Sequence, residues 1–384
     1  MAQSLREKAM LCEEIMEARH NYEGQVRRQV ILPPVGLPDC STGNHESDAL
    51  WSGDYLAIES FRWAATGDPA AKRRAKQGAR ALRKLQRITR SKGCFARGFK
   101  RASGPTWDEQ CFFFPREWHQ SGEYRWVGDP STDSLVGLMF GYEVYYDLVA
   151  DAREKQEVAK DIDIIMSRIV DADMRILDVD GRMTLWGNMC PPILDQDLKA
   201  LNALSHLRGA YHITKKRRYL DEYHRLIEQW DYHKKAAKAN AQADPVPSPW
   251  DWNLALEPLY TLLQYEKDER LLRYYYAALE MQWRRIPEFA GVDPYYNWVY
   301  KAFKPRAPML RRTWQWMETF EVGLPRERGL PSPFAPSLYS GPHELHAVVD
   351  GKPRVFHATS EQAPRDFLKA YWLGRYHGFI PEDA

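Results

Sequence analysis

Apolar residues return every three to four positions along most of this chain, the period of helices that bury one face. Residues 4–28 carry Leu5, Met10, Leu11, Ile15 and Met16 toward one face. Residues 48–65 place Leu50, Tyr55, Ile58, Phe61 and Trp63 as an inner, mostly buried helix would. The same period predicts helices over 69–89, 131–150, 153–173, 195–213, 217–238, 254–265, 269–285, 295–303, 309–322 and 366–376. One joint recurs between them: an aromatic-rich helix, a tight polar break, then a basic helix. It reads FRWAATGDPAAKRRAKQGARALRKL around Gly67, YYDLVADAREKQEVAKDIDIIM around Asp151, LRGAYHITKKRRYLDEYHRLI around Lys215 and LYTLLQYEKDERLLRYYYAALEMQW around Asp268. Breaks this short force the flanking helices antiparallel.

Helical hairpins repeated over this length cannot each cover their own apolar face, so they stack in a line or close into a ring. Six hairpins closed into an all-α (α/α)6 toroid is the economical packing. An open solenoid is the competitor, but the drifting spacing of the joints suits it less. Irregular stretches fall at the other end of the hairpins: VILPPVGLPDCSTGNHESD, residues 91–130, ANAQADPVPSPW, and the Pro-rich residues 323–363. The segment ILDVDGRMTLWGNM reads as a small β-hairpin turning at Asp180-Gly181. The expectation is a single barrel domain over 1–384, with 323–363 packed on it. Long loops gathered at one end make that mouth the working face.

Composition narrows the partners. The net charge is only +2 with 28% charged residues, which argues against a dedicated nucleic-acid binder. The basic runs read as solvated outer faces. No run of about 18 apolar residues appears, so no membrane span is expected. The first twenty residues lack the apolar core of a secretory signal, which suggests the cytoplasm, or the periplasm or exterior had a signal been removed. Five cysteines at 12, 40, 94, 111 and 190 show no metal spacing. The pair His343 and His346, in HELH, is too short a motif for a zinc site. Neither metal nor cofactor is expected.

Four of the long segments bring acids and aromatics to a helix start: Glu46, Asp48 and Trp51; His119, Arg125, Trp126, Asp129 and Asp133; Trp186 and Asn188; and Asp251 with Trp252. Aromatic faces stack on the C–H faces of sugar rings, and carboxyls supply the acid and base for glycosidic cleavage. The candidate catalytic groups are therefore Asp133, Asp48, Asp251 and His119. Trp51, Trp126, Trp186 and Trp252 are candidate ring platforms. Glu46, Arg125, Asp129, Tyr142 and Asn188 would line the substrate, an oligosaccharide or polysaccharide. Capping explains Asp48 and Asp133 equally well, since each falls in or just before a first helical turn. A lyase removing a proton beside a uronate would instead draw on Tyr142, Tyr145, Tyr146, His119, Asn188 and Arg125, and a glycan-binding protein without turnover fits the same residues.

The stretches SDALWSGDYLAIESFRWAATGDPAAKRRA, WVGDPSTDSLVGLMFGYEVYYDLVAD and YWLGRYHGFI resemble the six-hairpin glycosidase superfamily, with the likeness running from about residue 5 to 380. More narrowly, they are similar to a bacterial branch of it. The resemblance implies the (α/α)6 toroid and one of three activities: hydrolase, lyase or sugar epimerase. By architectural analogy with unsaturated glucuronyl hydrolases, Asp48 and Asp133 would be the acid pair.

Overall fold

The helix boundaries follow from local caps. In the computed structural model, which describes residues 3–32, 41–42, 47–103, 117–241, 249–289, 294–307, 311–322, 339–349 and 352–384, each recurring joint is a tight turn. Gly67 (φ 66°) ends α2 (Asp48–Thr66), and Asp68 accepts from the Ala70 amide to start α3 (Pro69–Arg87). Asp151 and Glu154 form a reciprocal capping box between α4 (Thr132–Leu148) and α5 (Ala152–Asp171). Lys215 (φ 58°) turns α6 (Asp197–Thr214) into α7 (Arg217–Trp230). Asp268 accepts from Arg270 N (2.9 Å) between α9 (Pro249–Tyr265) and α10 (Glu269–Phe289). The remaining helices are α1 (Leu5–Ile15), the short α8 (Tyr232–Ala236), α11 (Pro294–Phe303), α12 (Arg311–Thr319) and α13 (Arg365–Tyr376). The protein is thus mostly helical.

Six of these helices are apolar around most of their girth. Contacts run α2 to α4, α4 to α6, α6 to α9, α9 to α11 and α11 to α13, and α13 returns to α2. The amphipathic helices cover them: α3 on α2 and α4, α5 on α4 and α6, α7 on α6, α10 on α9 and α11, α12 on α11, and α1 on α13. The closest approach is α2 on α4. A Cβ on Gly53 would lie 1.9 Å from Gly137 O, and one on Gly141 would lie 2.5 Å from Gly53 O. Only glycine lets the two backbones come this near. In α9, Pro258 has no N–H for the Leu254 carbonyl four residues earlier. With its amide nitrogen turned toward α9, Asn202 of α6 donates to that carbonyl (2.8 Å).

Several segments differ from their sequence reading. The first helix stops at Ile15, continues as one π-turn over Met16–His20, and gives way to paired strands Asn21–Tyr22 and Gln25–Val26. Gly24 (φ 88°) makes that turn, and a helix could not pass through it. The predicted 217–238 helix breaks at Asp231 (φ 55°). The segment 91–130 holds a three-stranded sheet, Gly98–Arg101, Tyr124–Val127 and Trp118–Ser121, with the second strand central. The irregular reading of 323–363 is corrected over its second half: Tyr339–Val349 and Lys352–Gln362 form an antiparallel hairpin, whose Ser360–Gln362 pair with Gln29–Ile31. Its base is fixed by Glu361, buried between Arg19 (2.6 and 2.7 Å) and His20 (3.0 Å). The expected hairpin at Asp180-Gly181 is present, pairing Arg175–Leu177 with Met183–Asn188.

Candidate functional site

The strand Tyr124–Val127 runs on into the first turn of α4, and the start of its partner strand Gly98–Arg101 lies against the first turn of α2. Asp48 and Asp133 stand in those turns, and the Arg97–Gly98 dipeptide links them. Ala49 N donates to Arg97 O (2.8 Å). A Cβ on Gly98 would come within 2.8 Å of Asp48 Oδ2, so this backbone lies directly on the carboxylate. On the other side, the Arg97 guanidinium draws on the Asp133 carboxyl. Burial outweighs that pull and raises Asp133 above the ordinary carboxylate value, although Thr132, which donates to Oδ1 (3.3 Å), and Lys199 also favour the anion. The residue as a whole keeps partial solvent contact, while its carboxyl sits among protein atoms. An upward shift is the direction a general acid needs, because it holds the proton to higher pH than an ordinary carboxyl does. Asp48, by contrast, is fully buried.

The other predicted residues fall into distinct roles. Asp129, in left-handed backbone (φ 53°), knits the rim together: its N–H donates to Asp178 Oδ2 (2.7 Å), its Oδ1 accepts from Leu185 N (2.7 Å), and its carbonyl accepts from Arg97 Nε. Asn188 accepts from Cys190 N (3.0 Å) and donates to Ile193 O (2.5 Å), so both ends of its amide hold the local loop. His119 stacks on Trp126 with centroids 4.2 Å apart, and Trp126 is buried. Arg125 lies on the central strand between Lys100 and Gln120. Trp186, 41% exposed, lies on the Met183–Asn188 strand of the hairpin. Trp51 is buried beneath the Arg365 guanidinium, 4.0 Å from its centroid. Tyr142 is fully buried with its hydroxyl 3.5 Å from Asp161 of α5. Burial, reinforced by the Asp161 charge, drives that phenol well above its usual value. Asp251 and Trp252 belong to the first turn of α9 rather than to a loop, and their side chains lie outside the described residues, as does Glu46.

Below this rim lies a cluster that sequence reasoning missed. Asp54 of α2, Glu257 of α9, and Arg365 and Lys369 of α13 are all buried, with Asp54 and Glu257 at 0% exposure. Arg365 Nη1 donates to Asp54 Oδ2, and Lys369 Nζ donates to Glu257 Oε1 while sitting 3.3 Å from Asp54 Oδ1. Burial alone would raise Asp54, yet Lys369 and Arg365 hold it below its ordinary value. Glu257 moves the other way: burial and then the Asp54 charge push it up to about 8, against the pull of Lys369. Glu143 of α4 receives the Thr261 hydroxyl of α9 and fits only because Gly209 of α6 has no Cβ. Burial raises it well above its usual value. His206 of α6 is held down to about 3 by burial and is therefore neutral. The visible signal for this cluster is a set of charges inside otherwise apolar helices, with Arg365 and Lys369 four residues apart on one face.

Among the described side chains, no group of three His, Cys, Asp or Glu residues is placed to hold a metal ion. The described cysteines Cys12, Cys94 and Cys190 are buried thiols. No described helix is long and apolar enough to cross a membrane. Compared with known proteins, the chain matches no family model and no curated protein.

Proposed function

We propose that this chain is an (α/α)6 toroid that hydrolyses a glycosidic bond at the end where its inner helices begin. The cyclic order of contacts from α2 through α4, α6, α9, α11 and α13 back to α2 supports the closed ring, with one amphipathic helix outside each inner one. One observation carries the chemical reading: the first-turn carboxyls of two adjacent inner helices, Asp48 and Asp133, flank a single Arg97–Gly98 segment, and burial raises Asp133 above the ordinary carboxylate value. Asp133 is the proton donor to the departing sugar oxygen, and Asp48 is its partner carboxylate. For Asp48 to reach a substrate or water, the Gly98 strand must shift, because that backbone now covers it. Trp186 is the exposed ring platform.

The lyase reading draws on Tyr142, Tyr145, Tyr146 and His119, and of these the Tyr142 hydroxyl faces Asp161 of α5. The test is incubation of the protein with polygalacturonate, alginate, xylan and unsaturated uronate disaccharides, following reducing ends and ultraviolet absorbance together. Hydrolysis releases reducing ends and creates no new conjugated double bond. A rise in absorbance on a polyuronate would replace hydrolysis by β-elimination. No turnover across the panel would withdraw the reading.

A further inference from the structure

The covering helix α3 differs from its counterparts in charge. It carries eight cations and no acid, whereas α5, α7 and α10 each mix both signs. The whole chain is nearly neutral, so this excess is local. Four of the eight are committed to neighbours: Arg74 to Glu13 (3.0 Å), Lys76 to Glu154 (2.8 Å), Arg83 to Asp161 (2.6 Å) and Lys84 to Glu23 (2.6 Å). Lys72 lies over the Trp63 ring, 4.7 Å from its centroid. The other three are Arg73, Arg80 and Arg87, all exposed, and none has an ion-pair partner among the described residues. Arg80 only reaches back to Lys76 O (3.2 Å), and Arg87 acts on Asp161 solely at longer range, that carboxylate being already taken by Arg83.

Their spacing of seven residues places the three guanidinium groups on one stripe of the helix, about 10 Å apart and about 21 Å end to end. Such a row of like charges repels itself and favours an anion that can span it. The stripe also has a direction. The C-terminal end of α3 meets the rim: Ala96 N donates to Leu85 O (2.8 Å) and Ser121 Oγ to Ile88 O (2.8 Å), and Arg97 is the next residue. Arg90, exposed and in left-handed backbone (φ 55°), continues the charge toward that end.

We propose that the Arg73–Arg80–Arg87 stripe is a docking track for an acidic polysaccharide, laid along α3 and leading its chain to the Asp133 end. This rests on the glycan reading above and narrows it to polyuronates. A guanidinium fork pairs with a carboxylate through two parallel hydrogen bonds, and repeated carboxylates engage several forks at once.

The experiment is native electrophoresis through gels containing polygalacturonate, with neutral dextran and duplex DNA as separate matrices at equal ionic strength. Arg73→Ser/Arg80→Ser/Arg87→Ser is compared with a control of equal charge change, Arg153→Ser/Arg182→Ser/Arg217→Ser. The control arginines are exposed but each has an acidic partner. The wild type and the control should be retarded by polygalacturonate and not by dextran, and the α3 triple variant should bind at least ten-fold more weakly. Equal weakening in both variants, no retardation of the wild type, or equal retardation by DNA would overturn the track. Turnover of a short oligosaccharide that cannot span α3 should be unchanged in the triple variant, so failure of the track and failure of the glycan reading are read separately.

Discussion

Replacing Lys369 by Met removes from the buried cluster the ammonium that also lies over the Phe140 and Tyr295 rings, and keeps most of the side chain's apolar length. The Lys369 charge sits against Glu257 Oε1 and 3.3 Å from Asp54 Oδ1. Without it, two fully buried carboxyls face each other with only Arg365 to compensate. Breaking a buried ion pair from one side costs about 3–5 kcal/mol. Unfolding entropy of about 2 cal/mol/K per residue makes that a fall in Tm of roughly 4–6 °C for a chain of this length. Urea titration and thermal circular dichroism at matched pH provide the measurement. The deficit should widen from pH 6 to pH 8.5, because a Glu257 without its ammonium resists ionisation further. Adding Glu257→Gln to Lys369→Met should return little at pH 6, where Glu257 is already neutral, and should remove the extra deficit at pH 8.5. A Lys369→Met protein within about 0.5 kcal/mol of the wild type at both pH values would refute the cluster's structural weight.

Other consequences can be tested alongside. Glu257 has a folded value raised to about 8, so its contribution is fully present below the unfolded carboxyl range and is lost as pH rises through that value; wild-type stability should fall between pH 5 and 9 relative to Glu257→Gln, as followed by urea midpoints. Gly53→Ala would press a methyl 1.9 Å from Gly137 O and must spread α2 from α4, costing about 3 kcal/mol or more by chemical denaturation, whereas Gly67→Ala meets nothing within 4 Å and should cost about 1 kcal/mol for its left-handed backbone alone. Asn202→Ala leaves the Leu254 carbonyl beneath Pro258 without its donor and should lower stability by about 1–3 kcal/mol, with the loss of amide protection centred on α6 and α9 in hydrogen exchange.

The parts of the fold that were legible are those whose cause is local. Gly67-Asp68-Pro69, Asp151 with Glu154, and Asp268 announce their turns within a few residues, because a cap is made by neighbours in sequence. The Pro249 start of α9 was read as loop, although proline is at home in a first helical turn. The C-terminal hairpin carries the same Asp-Gly signal, at Asp350-Gly351, that identified the 175–188 hairpin, but flanking prolines and glycines masked its strands. The candidate site divides in the same way. Asp48, Asp129 and Asp133 were visible because acids at helix starts and in loops stand out. Arg97 was not, because one arginine in an irregular stretch gives no pattern. Asp54 meets Arg365 across 311 positions and Glu257 meets Lys369 across 112, so those partnerships exist only after the helices pack. Trp51, Trp126 and Tyr142 illustrate the converse: an aromatic residue near a proposed mouth is as easily committed to Arg365, His119 or Asp161 as to a substrate.

The most direct measurement is the turnover of Asp133→Asn beside the wild type on whichever glycan of the panel is cleaved, with thermal unfolding recorded for both. The account predicts at least a hundred-fold loss of reducing-end release with an unchanged or higher Tm, since asparagine keeps the shape and removes a buried acid. A variant that folds normally and still cleaves at the wild-type rate would contradict the assignment of Asp133 as proton donor.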